Sequence, residues 1–278
     1  MLVKKIGLDL FINKMFNIYP REFATGKRKV VHNSQEMLKL INLLNGKNNI
    51  FTTVYGFKQI ATRHKENYTY EICDYDTAII DKIFFDFANS NSYNNVLKMH
   101  EYLMARNIIH RINFSGRNFH VYVFVDNNIK NKKQTVANAQ RFLCKELGFK
   151  IGEEKHDREE NPDIDAKHIG NLSSLTRLPN TFNLAGQRFC ISLNKEVLYA
   201  GLDQIKRLAI TQQFLDNTGF GEKLMPMSAF DTAVEEEKIQ IPMFTSEQEF
   251  GEEHFYPCVK RMLVERSGFS GWFYGVLW

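Results

Sequence analysis

The sequence predicts an α+β domain with a mixed or antiparallel sheet. Predicted strands and helices alternate along the chain without the regular βαβ rhythm of a parallel sheet. Neither G-x-G-x-x-G nor G-x-x-x-x-G-K-[ST] occurs in the chain. With 278 residues, 44% of them hydrophobic, the chain can bury a full core. These observations argue against a Rossmann or P-loop protein.

The elements follow from apolar spacing and from residues that end helices. Helical spacing predicts helices over residues 34–45, 92–106, 134–147 and 202–214. The first has Ser34 as its predicted N-cap, and Gly46 and Gly148 follow two of the helix ends. Runs rich in β-branched and aromatic residues predict strands over residues 50–57, 79–87, 108–114, 121–125 and 189–193. A polar loop over 153–163 precedes a short helical segment and a turn within 165–183.

The charge is unevenly distributed along the chain. The net charge is +4, but Glu235 to Glu253 hold seven glutamates and one lysine, a local net of −6 that leaves +10 on the rest. A basic body with an acidic segment near one end fits a phosphate-rich partner.

The four cysteines, Cys73, Cys144, Cys190 and Cys258, are far apart and form no C-x-x-C pair. This spacing argues against a zinc finger or a disulfide framework and favours a reducing compartment. No apolar run is long enough for a transmembrane helix, and the first ten residues lack the pattern of a signal peptide. We therefore expect a cytoplasmic protein without a membrane partner.

The segment Ser115-Gly-Arg-Asn-Phe-His120 connects two predicted strands. Glycine lets backbone N–H groups approach a ligand, and Ser115, Arg117 and His120 can all donate hydrogen bonds to phosphate oxygens. Taken alone, the segment is as well explained by a basic surface turn.

Two aspartates stand near this turn in sequence order. Asp86 ends the apolar strand, and a buried carboxylate there needs a partner or a metal ion. Asp165 precedes Lys167 and, further on, the string Arg177-Leu-Pro-Asn-Thr-Phe-Asn183. In isolation, Asp86 and Asp165 are explained as caps of a turn and a helix. Arg177 and Lys167 are likewise explained as solvated surface charges.

The order of these three motifs, from Ile79 to Asn183, resembles the archaeo-eukaryotic primase superfamily. The likeness is to the primase–polymerases of archaeal plasmids, viruses and mobile elements in particular. The resemblance implies an RRM-like catalytic sheet joined to a second α/β unit. It also implies a DNA primase or primase–polymerase that uses (d)NTPs on a single-stranded DNA template and primer.

The resemblance also implies the roles of individual residues. Asp86 and Asp165 match catalytic aspartates that bind two divalent ions, and hard Mg²⁺ or Mn²⁺ takes carboxylate oxygens. Ser115, Gly116 and His120 match the motif that holds the nucleotide triphosphate, where Arg117 adds a guanidinium. Arg177, and Lys167 beside Asp165, are further candidates for binding phosphate or template.

Position 88 departs from the family pattern, because Ala88 stands where a second carboxylate of the first motif is expected. Three explanations compete: an engineered inactivation, which we favour, a naturally degenerate protein, or replacement by another side chain such as Asn89, Asp81 or Asp76. Without this second carboxylate, we expect the chain to be inactive or impaired as a transferase. The alternative is a catalytically dead nucleic-acid-binding or nucleotide-binding module.

Asn118, where glycine is common in the family, tolerates a left-handed backbone and leaves the turn intact.

The predicted organisation is a catalytic domain over 1–234, an acidic linker over 235–253 and the start of a helical accessory segment over 254–278. Tyr256 to Leu263 resembles the beginning of the accessory domain of plasmid-type primases, and the apolar end of the chain suggests truncation or packing on the body. A helicase or an accessory domain is a further expected partner. The sequence contains no Cys/His cluster of the kind that would predict a structural zinc site. No His-x-His pair of a replication-initiator nuclease occurs.

Overall fold

The computed structural model describes residues 15–65, 68–126, 129–152, 162–213 and 219–231. The α+β class is confirmed in this part of the chain, which contains five α-helices and strand pairs that are antiparallel throughout the named sheets. The predicted segments 235–253 and 254–278 lie outside the described residues.

The strands are β1 (Arg21–Ala24), β2 (Arg28–Val31), β3 (Phe51–Thr53), β4 (Gly56–Phe57), β5 (Ile60–Lys65), β6 (Tyr68–Cys73), β7 (Ala78–Ile79), β8 (Lys82–Phe87), β9 (His110–Phe114), β10 (Phe119–Phe124), β11 (Leu175–Arg177), β12 (Phe182–Asn183), β13 (Arg188–Phe189) and β14 (Ile191–Leu193). The helices are α1 (Ser34–Leu44), α2 (Ser92–Ala105), α3 (Lys132–Glu146), α4 (Lys195–Tyr199) and α5 (Leu202–Leu208). Short 3₁₀ turns cover Tyr75–Thr77, Ala166–His168 and Ser228–Phe230.

The central sheet has the strand order β14-β9-β10-β8, and its elements follow one another as β–α–β–β–α–β. Alternate residues of β8 and β10 point to opposite faces. One face presents Ile83, Phe85 and Val121, all fully buried, on the side where Tyr93 of α2 contacts Phe119. The other face presents Asp86 and its neighbours to the second sheet.

The second sheet has the order β11-β3-β1-β2, and α1 packs against β2. It corresponds to the second α/β unit that the resemblance implies. The N-cap of α1 is Asn33, whose side chain accepts a hydrogen bond from the Glu36 N–H, so the prediction of Ser34 as the cap is wrong by one residue. Both residues are good caps, and the Glu36 carboxylate, which accepts from the N–H of His32, selects the earlier position.

Three predicted strands are interrupted because the chain changes sheet within them. In 50–57, β3 pairs with β1 while β4 pairs with β7. In 79–87, β7 pairs with β4 while β8 joins the central sheet. In 189–193, β13 pairs with β12 and β14 pairs with β9. Each run is continuous in sequence, but its hydrogen bonds go to different partners.

Other boundaries are close to the prediction. Helix α2 differs by one residue and α3 by two or fewer, whereas α5 ends at Leu208, and Phe214 lies outside the described residues. The elements without a counterpart in the prediction are strands β1, β2, β5, β6, β11 and β12 and helix α4. The three described cysteines are buried and unpaired, and no described helix is long and apolar enough to cross a membrane.

Candidate active site

Asp86 lies at the centre of the candidate site, with an imidazole on either side. Its cross-strand partner in β10 is His120. The Asp86 Oδ1 atom is 3.7 Å from His120 Nε2, and Oδ2 is 3.6 Å from His168 Nε2. Both histidines are buried, while 16% of the Asp86 side chain is exposed. The second and third sequence motifs therefore meet at the aspartate of the first.

The third motif reaches Asp86 because the backbone at Ile164 lies beside the end of β8. Ile164 forms an isolated antiparallel bridge with Phe87, and the N–H of Asp165 donates to the backbone oxygen of Asp86 at 3.4 Å. Asp165 then caps the 3₁₀ turn Ala166–His168 by accepting from the N–H of Lys167. Since a 3₁₀ helix has three residues per turn, Asp165 and His168 lie on one side of it.

Gln140 of α3 holds this segment against the central sheet. Its amide nitrogen donates to the backbone oxygens of Phe84 at 2.7 Å and His168 at 3.2 Å. Its amide oxygen accepts from the N–H of Gly170 at 2.7 Å. The Phe84 ring fills the space below the histidines, with edge contacts to His120 and His168 at 5.2 and 5.0 Å between centroids.

Asp86, Asp165 and His168 offer ligand atoms that all lie within 4.8 Å of one another. Oxygen and nitrogen ligands bind a divalent ion at about 2.0–2.2 Å, so opposite ligands of one ion are separated by roughly 4.2 Å. Asp86 Oδ1 is buried and accepts no hydrogen bond from the described residues, which leaves a negatively charged oxygen in need of a partner. These residues fit a divalent metal ion.

Burial and charge fix the protonation of the cluster. Burial lowers the pKa of His120 to about 4, and the nearby Asp86 carboxylate offsets this only in part. His120 is therefore neutral at pH 7. Burial raises the pKa of Asp86, but contact with His168 and the nearby charge of Lys167 help to outweigh it and bring the pKa below its ordinary value. Asp86 is an ionised carboxylate at pH 7.

Hydroxyl groups at and beside β11 orient both imidazoles. His120 Nδ1 is 3.1 Å from Thr176 Oγ1, which is itself 2.5 Å from the hydroxyl of Tyr122. His168 Nδ1 is 3.1 Å from Ser174 Oγ. With each Nδ1 held in this way, both Nε2 atoms face Asp86. The second sheet thus sets the geometry of a site that is otherwise built on the central sheet.

The turn of the second motif is closed by its own hydrogen bonds. Ser115 N–H and Oγ both donate to the backbone oxygen of Asn118, at 2.7 and 3.0 Å. Gly116 has φ +90°, and a Cβ there would lie 2.8 Å from both the Arg188 oxygen and Asn183 Cβ. The turn spans 115–118, because Phe119 and His120 already belong to β10.

The basic candidates take different positions. Arg117 is exposed beside the Gly116 turn, whereas Arg177 is buried, stacks on the Phe51 ring at 4.6 Å and donates to Asn49 Oδ1 at 3.1 Å. The charge of Arg177 contributes to lowering the pKa of His120. Lys167 is exposed and forms an ion pair with Asp165 at 2.5 Å.

Ala88 is exposed and directly follows β8. Two of the three polar residues considered as replacements have other partners: the amide of Asn89 donates to Asp163 at 2.6 Å, and Asp81 pairs with Lys82 at 2.6 Å. The third, Asp76, is exposed in the 3₁₀ turn Tyr75–Thr77. The third ligand group is His168, which the sequence prediction did not assign to the site. The Asp-x-x-His spacing in a short helical segment is the signal that identifies it.

No family model matches the chain, and no curated protein matches it either. Among solved structures, the polymerase domain of Mycobacterium tuberculosis ligase D in complex with DNA is similar at a TM-score of 0.46 and 11% identity, over 74% of this chain and 86% of that one. The catalytic domain of primase RepB′ with initiator DNA gives 0.41 and 12%, over 75% and 98%. A second structure of primase RepB′ gives 0.40 and 11%, over 73% and 61%.

These three structures are described as primase or polymerase domains, the class that the sequence motifs resemble. The similarity concerns the fold at low sequence identity and TM-scores below 0.5.

Proposed function

We propose that this chain has the active site of a DNA primase or primase–polymerase, which transfers nucleotides from (d)NTPs to a growing strand on a single-stranded DNA template. One observation carries the proposal. The aspartate of the first motif contacts the histidine of the second motif and lies beside the aspartate and histidine of the third. Three motifs that are separate in sequence thus form one cluster.

In this proposal, Asp86, Asp165 and His168 hold the catalytic Mg²⁺ or Mn²⁺. A bound divalent ion supplies activation of the primer hydroxyl and stabilisation of charge on the phosphates. The neutral His120 donates a hydrogen bond from Nε2 to a phosphate oxygen of the nucleotide, since Thr176 occupies its Nδ1. Gly116 allows close approach of the triphosphate, and Arg117 adds charge at the edge of the turn.

Ala88 leaves the cluster with two carboxylates and one imidazole. Because fewer carboxylates hold a hard cation less tightly, we expect weak transferase activity in the chain as given. The second candidate function, nucleotide or nucleic-acid binding without catalysis, is favoured by this same residue.

Primer extension on a DNA template, with Mn²⁺ or Mg²⁺ and labelled dNTPs or NTPs, tests the proposal. We expect Ala88→Asp to increase incorporation and Asp165→Asn to abolish it in that background. Asp203→Asn, an exposed carboxylate change on α5, is the matched control and should have no effect. No product from folded Ala88→Asp protein would overturn the catalytic proposal. Nucleotide binding without product would then support the binding module.

A further inference from the structure

Strands β5 and β6 form an antiparallel ribbon that pairs with no other named strand. We call it the β5–β6 ribbon. Residues 66–67, between the two strands in sequence, lie outside the described residues. A ribbon of two strands is marginally stable in water unless something covers one of its faces. In this chain, β6 packs against β2 and β1, and the composition of each face indicates which further ligand it suits.

One face of the ribbon combines two tyrosines with an arginine. The register pairs Arg63 with Tyr70, and residues two apart share a face, so Tyr68 lies on the same face. The rings of Tyr68 and Tyr70 are 5.7 Å apart at an angle of 40°, and Tyr68 is 58% exposed. The remaining positions on this face are Ala61 and Ile72, so it carries no acidic residue.

The opposite face has the acidic residue and already has partners within the chain. Glu71 lies 3.4 Å from Nε2 of His32, and Nδ1 of His64 is 3.1 Å from Thr69 Oγ1. The two faces therefore differ in chemistry. One carries an acidic residue and small polar side chains, while the other combines aromatic surface with positive charge.

Tyrosines with adjacent basic residues suit single-stranded nucleic acid, because bases stack on the rings while the cations pair with phosphates. A second copy of the chain suits this face poorly. A twofold interface would bring the Arg63 side chains of both copies together on an apolar patch. The basic body of the chain also favours a polyanion.

We propose that the Tyr68–Tyr70–Arg63 face of the β5–β6 ribbon is a binding surface for single-stranded DNA. The bases stack on the two tyrosines and Arg63 contacts a phosphate. The choice of DNA as the ligand rests on the proposed function, but the ribbon contributes no residue to the Asp86 cluster.

The test measures the affinity of the full chain for a fluorescent oligo-dT by anisotropy, in EDTA and without nucleotides. Stacking contributes about 1–3 kcal/mol per base, so Tyr68→Leu with Tyr70→Leu should weaken binding by at least about tenfold. Tyr68→Phe with Tyr70→Phe keeps the rings and should bind as the parent does. Arg63→Gln should lower the slope of log affinity against log salt by about 0.7, whereas Arg207→Gln on α5 should not.

Unchanged oligo-dT affinity in the folded double leucine variant would overturn the proposal. The proposal would also be overturned if sedimentation showed that the parent is a dimer and that the double leucine variant is a monomer. If the leucine variant does not fold, Arg63→Gln decides: reduced affinity and slope support the surface, and unchanged values overturn it. Asp86→Asn should abolish incorporation without changing oligo-dT binding, so failure of the ribbon surface and failure of the proposed function give different results.

Discussion

Asp86 and His120 face each other directly across β8 and β10, with 3.7 Å between Oδ1 and Nε2. The strand register fixes this pair, since a slip of one residue would turn one of the two side chains to the opposite face. On the apolar face, opposite to Asp86 and His120, the buried phenylalanines and valines of the two strands specify the register. Packing of the core thus places a carboxylate and an imidazole side by side.

His168 should be a ligand of the metal ion. We expect His168→Ala to weaken Mn²⁺ binding by at least about tenfold, because one of three ligand groups is lost. Calorimetry or the Mn²⁺ electron paramagnetic resonance signal measures this directly. His32→Ala, far along the chain and paired with Glu71, is the control. Equal Mn²⁺ affinity in the parent and His168→Ala would contradict the assignment.

Gly116 should be intolerant of a side chain for two separable reasons. Gly116→Ala combines a left-handed backbone with a Cβ 2.8 Å from Asn183 Cβ, whereas Gly201→Ala has a similar φ of +94° and nothing within 4 Å. We expect Gly201→Ala to cost about 1–2 kcal/mol of unfolding free energy and Gly116→Ala clearly more. Urea denaturation measures both. An equal loss in the two variants would show that the contact with Asn183 is unimportant.

Thr176 should stabilise His120 through its hydroxyl. Thr176→Val keeps the shape but leaves His120 Nδ1 without this partner and removes one of the two side-chain partners of the Tyr122 hydroxyl, the other being Asn113. We expect a loss of about 1–3 kcal/mol in unfolding free energy and weaker nucleotide binding. Thr176→Ser retains the hydroxyl and should preserve nucleotide binding. A valine variant that matches the parent in both measurements would rule out this role.

Stability should fall in mild acid because of a buried histidine pair. His100 Nδ1 is 2.8 Å from His110 Nε2, and His100 Nε2 has no hydrogen-bond partner. Burial, then the nearby His110, lowers the pKa of His100 to about 3, and burial lowers that of His110 to about 4. The unfolded chain binds these protons near pH 6.5, well before the folded protein does.

The unfolding free energy should therefore be highest above about pH 6.5 and decline toward pH 4, by up to about 1.4 kcal/mol per pH unit for each histidine. His100→Gln removes one of these groups, so its decline should be shallower. Denaturation curves collected between pH 7 and pH 4 measure the slope. A variant slope as steep as that of the parent would contradict this explanation.

Local signals in the sequence predicted several parts of this site. Asp86 at the end of an apolar strand, the Ser115–Gly116 turn and Asp165 before a short helical segment all lie where they were expected. Helices α2 and α3 were also predicted within two residues, since apolar periodicity and terminal residues are local properties.

Other features depended on which strands pair. The interruption at residues 80–81 arises because β7 and β8 join different sheets, and no local pattern encodes that choice. In the β5–β6 ribbon, β5 lacks the apolar alternation that marks a half-buried strand, whereas β6 alternates Tyr68, Tyr70 and Ile72 with Thr69 and Glu71, a local signal that the prediction did not use.

The sequence by itself determined the α+β class, the order of the three motifs and the carboxylates at Asp86 and Asp165. Only the tertiary structure brought His168 to Asp86, placed Thr176 behind His120 and buried Arg177 against Phe51. The physical reason is that hydrophobic periodicity is written in neighbouring residues, whereas the partners of a buried polar group come from distant strands once the two sheets pack together.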